Sequence, residues 1–245
     1  YDADLVIAND PDADRCAAAV NDPISGWRML RGDELGAIFA ESIARKIDSG
    51  IFANSIVSSS IVKKIADHYN LHFKETLTGF KWLAKIENLT FGYEEALGYS
   101  VDSVTVNDKD GISAAITLVQ IATDLAAEGK TLLDLLDEIW ARHGFHATEQ
   151  ISIRLSDLSK VGVILGGLRS NPPTEIAGRS VTSIDDLATP TDGLPPTDGI
   201  RIWLDGGVRI IIRPSGTEAK MKCYIEAIER DSKAATAVLD QLRPP

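Results

Sequence analysis

The segment Asp10-Pro11-Asp12-Ala13-Asp14-Arg15 sets three carboxylates at alternate positions directly after Asp4–Asn9, an apolar run that reads as a strand. Carboxylates so spaced in a tight loop can converge on one hard cation, and the loop sits at the carboxyl end of a strand, where α/β sheets place ligands. A calcium-binding EF-hand loop is excluded, because Arg15 stands where that loop needs Gly and Asn21 where it needs a bidentate Glu. The other reading is a solvated acidic turn. Three uncompensated carboxylates repel one another, which favours the metal, and Mg²⁺ suits a site whose three ligands leave room for water or a phosphate oxygen.

A second segment, Arg213-Pro214-Ser215-Gly216-Thr217-Glu218-Ala219-Lys220, follows the apolar run Val208–Ile212. Gly216 permits a backbone bend that turns successive N–H groups toward one anion. Ser215 and Thr217 add hydroxyls, and Arg213 offers a two-pronged contact to phosphate. With Lys220 and Lys222 close by, a phosphate grip is favoured over a polar hairpin turn. The third segment is Gly92-Tyr93-Glu94-Glu95-Ala96-Leu97-Gly98-Tyr99. Its Glu side chains could accept hydrogen bonds from sugar hydroxyls, and Lys109 in N-D-K-D-G could face a phosphate or move a proton. Taken alone, however, this segment reads better as a solvated acidic loop and D-K-D-G as a helix start. Thr78-Gly79-Phe80-Lys81 is equally ambiguous, and His68, His72, His143 and His146 form no ligand or triad pattern.

Apolar residues at three- and four-residue spacing predict helices over 32–47, 60–69, 80–88, 110–127 and 132–142, the fourth so apolar that it should be buried. Strands are expected over 54–60, 71–76 and 89–93, and this alternation implies a parallel sheet covered on both faces. Beyond His146 the texture changes. A strand over 150–155 and a helix ending near Leu168 precede a Pro-, Thr-, Gly- and Asp-rich stretch, 171–199, expected to be loop with at most short strands. Strands over 200–204 and 208–213 joined by D-G-G make a hairpin, followed by a strand over 223–226 and a helix over 232–242.

Composition bounds the function. The chain has 245 residues, 44% apolar, and a formal net charge of −11, so it can bury a core and lacks the basic surface that nucleic acid or an anionic membrane requires. Its longest apolar runs fall far short of the ~20 residues of a membrane-spanning helix. Cys16 and Cys223, more than 200 residues apart, fit a reducing cytoplasm with no disulfide framework. A chain that opens inside a strand with no earlier partner is expected to be the later part of a longer one. No pattern sets an oligomeric state.

The order D-P-D-A-D-R, T-G-F-K, G-Y-E-E-A-L-G-Y with D-K-D-G, and R-P-S-G-T-E-A-K resembles the α-D-phosphohexomutase superfamily, the phosphoglucomutases and phosphomannomutases, over the whole chain. The resemblance implies residues 1–27 as the end of a second α/β domain carrying the metal loop. Residues 28–143 would be a third, parallel-sheet α/β domain for sugar recognition, and 144–245 a fourth, α+β domain of the TATA-binding-protein-like type for phosphate. It also implies a mechanism in which a phosphoserine donates its phosphoryl group to a hexose phosphate, glucose or mannose, and the bisphosphate reorients before returning the opposite phosphate.

By the same resemblance Asp10, Asp12 and Asp14 are Mg²⁺ ligands, while Arg15 and Lys109 serve the transfer. Thr78, Gly79, Glu94, Ala96, Lys109, Arg213, Ser215, Gly216, Thr217 and Lys222 bind substrate. Three departures stand out. The family's T-A-S-H-N-P-like serine loop is absent, and Ser58-Ser59-Ser60 follows a third-domain strand, so the chain by itself should be inactive as a mutase. Pro11 and Ala13 replace the usual glycines of the metal loop. Ala96 replaces the common sugar-contacting Ser and Tyr99 stands near the usual His, which resembles the branch of phosphoglucomutases, phosphopentomutases and some phosphomannomutases. The other reading of the chain is a non-catalytic sugar-phosphate-binding module.

Overall fold

A computed structural model describes residues 3–157, 159–215 and 218–243, which form two compact units, Tyr1–His143 and Gly144–Pro245. The first opens with an antiparallel meander, β1 (Leu5–Asn9), β2 (Cys16–Asp22) and β3 (Gly26–Met29). Two-residue alternation puts Cys16, Ala18 and Val20 into the core, while Val6, Trp27 and Met29 on the other face are exposed. The chain reversal between β1 and β2 is the D-P-D-A-D-R loop.

A second sheet, ordered β5-β4-β6-β7, holds β4 (Ile51–Ser55), β5 (His72–Thr76), β6 (Leu89–Glu94) and β7 (Gly98–Ser100). The first three are parallel, as expected, and β7 adds an antiparallel edge that the sequence pattern did not signal. Phe52, Phe91 and Tyr93 point into one core with Phe39 and Leu35 of α1 (Gly32–Ala44), Ile65 of α2 (Ile61–His68), Leu118 of α4 (Gly111–Ala127) and Leu136 of α5 (Leu132–His143). On the opposite face Ala53 and Leu89 meet Phe80 and Leu83 of α3 (Phe80–Leu83). Both faces are therefore covered, and burying each such aromatic or leucine stabilises by roughly 2 kcal/mol.

In this first unit three expectations are corrected. The strand expected over 54–60 ends at Ser55, because Ser58 N–H bonds back to Ser55 O and Ser59 N–H to the Asp33 carboxylate, turning the chain into α2. The helix expected to run to Asn88 stops at Leu83. Its next hydrogen bonds shorten to three-residue spacing and Asn88 takes a left-handed φ of 58°. Helix α4 is only half buried: Ala114, Leu118, Ile121 and Leu125 face the core, while Ile112, Ile116 and Val119 are exposed on its other side.

The second unit is one antiparallel sheet ordered β8-β13-β12-β11-β10-β9. Its strands are β8 (Phe145–Arg154), β9 (Glu175–Ile176), β10 (Arg179–Asp186), β11 (Ile200–Leu204), β12 (Val208–Pro214) and β13 (Lys220–Glu229). Helices α6 (Ser159–Ser170) and α7 (Ser232–Leu242) supply Val161, Leu165, Ala235, Val238 and Leu239 to a core with Ile200, Ile202, Ile210 and Ile225. The D-G-G hairpin forms, Gly206 and Gly207 supplying the positive φ values of 74° and 76°. The stretch 171–199 contains more than short strands: β10 runs eight residues, held by its ladder to β11 and by the ion pair of Asp185 with Arg201 (2.9 Å). Strands β8 and β13 each reach ten residues because they pair along their full length. No helix among the described residues is long and apolar enough to cross a membrane.

Candidate functional site

The loop between β1 and β2 is folded on itself by one backbone bond and two between side chain and backbone. Ala13 N–H reaches Asp10 O (2.9 Å), Arg15 N–H reaches Asp10 Oδ1 (3.1 Å), and the Asn9 amide donates to Arg15 O (2.7 Å). Ala13 takes a left-handed φ of 56°, a conformation that costs a residue with a Cβ about 1 kcal/mol. With the loop so closed, carboxylate oxygens of Asp10, Asp12 and Asp14 all lie within 4.8 Å of one another, enough for one cation to meet all three. Two cationic side chains flank them. Arg15 Nε is 3.7 Å from Asp10 and 3.8 Å from Asp14, and Lys109 Nζ is 2.5 Å from Asp14 Oδ2. Burial works against the charge on Lys109, but Asp14 outweighs it and lifts the ammonium above its ordinary pKa.

Lys109 is 95 positions from Asp14 in sequence, and D-K-D-G brings them together. Asp110 caps α4 by accepting from Ile112 and Ser113 N–H, while its own N–H bonds to Tyr99 O (2.9 Å). Gly111 N–H donates to Ala13 O (3.0 Å), and a Cβ there would collide with the Asp10–Arg15 loop. The E-E-A-L-G-Y segment is tied to the same loop from its other side, by Cys16 N–H to Leu97 O (3.1 Å) and a bridge between Arg15 and Gly98.

Glu94, half-buried at the end of β6, accepts the N–H of Gly79 (2.5 Å), whose φ of 107° suits glycine. Burial raises the Glu94 carboxyl above its ordinary value although Gly79, Lys109 and Arg15 all favour its charge. Thr78 precedes Gly79 and is half-buried, and Ala96 is exposed. Behind Glu94, Glu95 turns inward onto two fully buried serines. Ser58 Oγ donates to Glu95 Oε2 (3.1 Å) and accepts Glu95 N–H (3.0 Å), and Ser55 Oγ also reaches that carboxylate (3.3 Å). Burial first, then the neighbouring Asp33 and Glu94 charges, push the Glu95 carboxyl up to about 7. A raised acid contributes stability at low pH that is lost as pH rises through its folded value. Glu95→Gln, neutral at every pH, should therefore be relatively more stable than the parent at pH 8 than at pH 5. Urea unfolding at both values checks this, and parallel curves would show that Glu95 does not titrate there.

In the second unit, Arg213 and Lys222 are direct cross-strand partners on β12 and β13, and Ser215 N–H closes the loop between the strands on Lys220 O (2.8 Å). Lys220 pairs with Glu218. Gly216 and Thr217 lie outside the described residues. Within the first unit, then, Asp10, Asp12, Asp14, Arg15, Lys109, Gly79 and Glu94 form one cluster. The roles of Gly111 as a spacer and of Ser58 as a clamp under the Glu94 loop were not anticipated; the glycine of D-K-D-G was the available signal for the first.

Residues 31–143 match the family model for phosphoglucomutase/phosphomannomutase, alpha/beta/alpha domain III, and residues 168–243 that for the phosphoglucomutase/phosphomannomutase C-terminal domain. The chain belongs to the α-D-phosphohexomutase superfamily. This phosphohexomutase chain is 45% identical over 240 residues to a probable phosphomannomutase of Haemophilus influenzae, covering 97% of the chain and 49% of the relative. A probable phosphoribomutase of Schizosaccharomyces pombe is 34% identical, with 97% and 46% covered. The chain thus spans about half the length of the curated relatives it matches. Among solved structures, the Paramecium phosphoglucomutase parafusin in its open form aligns at a TM-score of 0.70 with 22% identity, covering 97% of the phosphohexomutase chain and 44% of its own. A putative phosphomannomutase from Thermus thermophilus aligns at 0.69 with 20% identity, covering 97% and 44%. At these identities the likeness is one of fold.

Proposed function

We propose that this chain is the portion of a Mg²⁺-dependent phosphohexomutase that holds the metal, recognises the sugar and grips one phosphate, in an enzyme interconverting hexose 1-phosphate and hexose 6-phosphate through a phosphoserine and a bisphosphate. The reading is carried by the convergence of the Asp10–Arg15 loop, Lys109 and Glu94 in one cluster. Three carboxylates within reach of a single point, all oxygen donors, suit Mg²⁺ by their chemistry. When bound there, Mg²⁺ supplies positive charge against the charge that develops on a transferring phosphoryl group. Around it, Arg15 orients phosphoryl oxygens and Lys109, held charged by Asp14, adds a second cation. Glu94 accepts hydrogen bonds from sugar hydroxyls, the Gly79 N–H holds that carboxylate in place, and Thr78 and Gly79 line the substrate from the adjoining loop. Arg213, Ser215, Gly216, Thr217 and Lys222 hold the phosphate that is not reacting. The free thiols Cys16 and Cys223 suit a reducing cytoplasm.

Ala96 favours a second reading on the sugar. It brings no hydroxyl to the recognition loop, and the Schizosaccharomyces pombe relative is a probable phosphoribomutase, so a pentose phosphate is the alternative substrate. A coupled assay of the full-length enzyme, serine domain included, with glucose 1-phosphate, mannose 1-phosphate and ribose 1-phosphate, with and without Mg²⁺, separates the two. Mg²⁺-dependent turnover of a hexose phosphate is expected; absence of turnover on all three sinks the enzyme reading. Binding adds a second measurement. Replacing Arg213 and Ser215 together by Ala should weaken sugar-phosphate binding by about 2 kcal/mol as charge-assisted contacts are lost. An unchanged calorimetric titration would refute the phosphate grip.

A further inference from the structure

One end of the second unit's sheet, on the face turned away from α6 and α7, carries more positive charge than the R-P-S-G-T-E-A-K segment explains. Arg213 stands across from Lys222, and Lys222 across from Ser152 on β8. Two residues along the same face, Lys220 stands across from Arg154. Directly paired Cβ atoms lie about 5 Å apart and the next row about 7 Å away, so four cations from three strands share one patch. In a chain with 36 acidic and 25 basic residues, none of Arg154, Lys222 and Arg213 has an ion-pair partner among the described residues. The carboxylate of Glu218 sits on Lys220; Lys220 foremost, and Arg154 and Lys222 after it, hold that carboxyl below its ordinary value. Like charges gathered without counterions repel, and an arriving dianion removes that repulsion.

We propose that Arg154 is a further phosphate contact of the sugar-phosphate site, acting on the same anion as Arg213 and Lys222. The inference rests on reading the Arg213–Lys220 segment as the phosphate grip, and it extends that grip to β8, some 60 residues earlier in the chain. Glu218 is then the resident counterion, keeping Lys220 paired until phosphate takes its place.

The test compares Arg154→Gln and Arg213→Gln in the intact protein, titrated calorimetrically with inorganic phosphate and with glucose 1-phosphate at low and high salt. Arg154→Gln should weaken both by roughly tenfold, make binding less salt-dependent, and leave the melting temperature unchanged. Arg154→Lys should restore part of the loss, and in turnover KM should rise with kcat nearly constant. Glu218→Gln should tighten phosphate binding. Parental affinity in Arg154→Gln beside a weakened Arg213→Gln overturns this inference and leaves the grip standing. Parental affinity in both variants overturns the grip itself.

Discussion

Gly111→Ala is expected to destabilise the first unit by about 2 kcal/mol and, in the full-length enzyme proposed above, to abolish Mg²⁺-dependent turnover. An alanine Cβ would stand 2.2 Å from Arg15 O, 2.7 Å from Ala13 O and 2.5 Å from the Asn9 amide nitrogen. The first two are backbone atoms of the Asp10–Arg15 loop, so no rotamer change relieves the clash, and either the loop or the start of α4 must move. Overpacking of that kind costs ~1–3 kcal/mol, more than the ~1 kcal/mol by which alanine favours a helix over glycine. Displacing the helix start also breaks the bond from Gly111 N–H to Ala13 O and withdraws Lys109 from Asp14. Thermal unfolding together with the coupled assay checks both effects. Asp12→Asn is the comparison, since it should lose turnover at a near-parental melting temperature. A Gly111→Ala protein that melts and turns over like the parent would show that the helix start does not brace the loop.

Glu41→Gln should cost about 3 kcal/mol and lower the first unit's melting temperature by roughly 10 °C. Glu41 is fully buried in α1, and its Oε1 accepts from Tyr69 OH (2.7 Å), Arg45 Nε (2.9 Å) and Arg142 Nη2 (2.9 Å), joining α1 to α5 and to the end of α2. Glutamine preserves the shape and removes the charge that both guanidiniums answer. Arg45 keeps a second carboxylate in Glu138 (2.9 Å) and Arg142 is partly exposed, which places the cost at the low end of the ~3–5 kcal/mol for breaking a buried ion pair. Burial pushes the Glu41 carboxyl up, but hydrogen bonds from Arg142, Tyr69 and Arg45 outweigh it and hold it below the ordinary 4.5. A depressed acid contributes stability above its unfolded value and loses it as pH falls through the folded one. The parent should therefore lose more stability than the variant below pH 4.5, and denaturant midpoints at pH 3 and pH 7 measure the difference. Equal losses would mean that the triad is electrostatically idle.

What the sequence made legible was what is contiguous. The three aspartates lie within five residues, so their convergence follows from one turn, and the stripe Leu35, Ile38, Phe39 predicts α1 because helix period and burial coincide there. The outer side of α4 broke that link, since Ile112, Ile116 and Val119 are as apolar as the residues facing inward yet remain exposed. Contacts set by register were beyond reach. Lys109 meets Asp14 only because α4 begins against the Asp10–Arg15 loop, and Arg154 meets Lys220 only through the β8–β13 ladder. Strand β10 was hidden by composition, because Arg179–Asp186 reads R-S-V-T-S-I-D-D with polar residues at most positions and draws its order from the paired neighbour β11.

The loops that meet around Asp14 are joined largely through main-chain groups: Cys16 N–H to Leu97 O, Gly111 N–H to Ala13 O, and Asp110 N–H to Tyr99 O. Apart from Gly111, where there is no room for a Cβ, these joints use no side-chain atom. Position 96, exposed and outside these bonds, can exchange alanine for a hydroxyl or a larger group without breaking any of them. On the function proposed above, a scaffold wired in this way separates the choice of sugar from the machinery of transfer, so that a substitution at position 96 can alter sugar preference while the transfer groups stay in place.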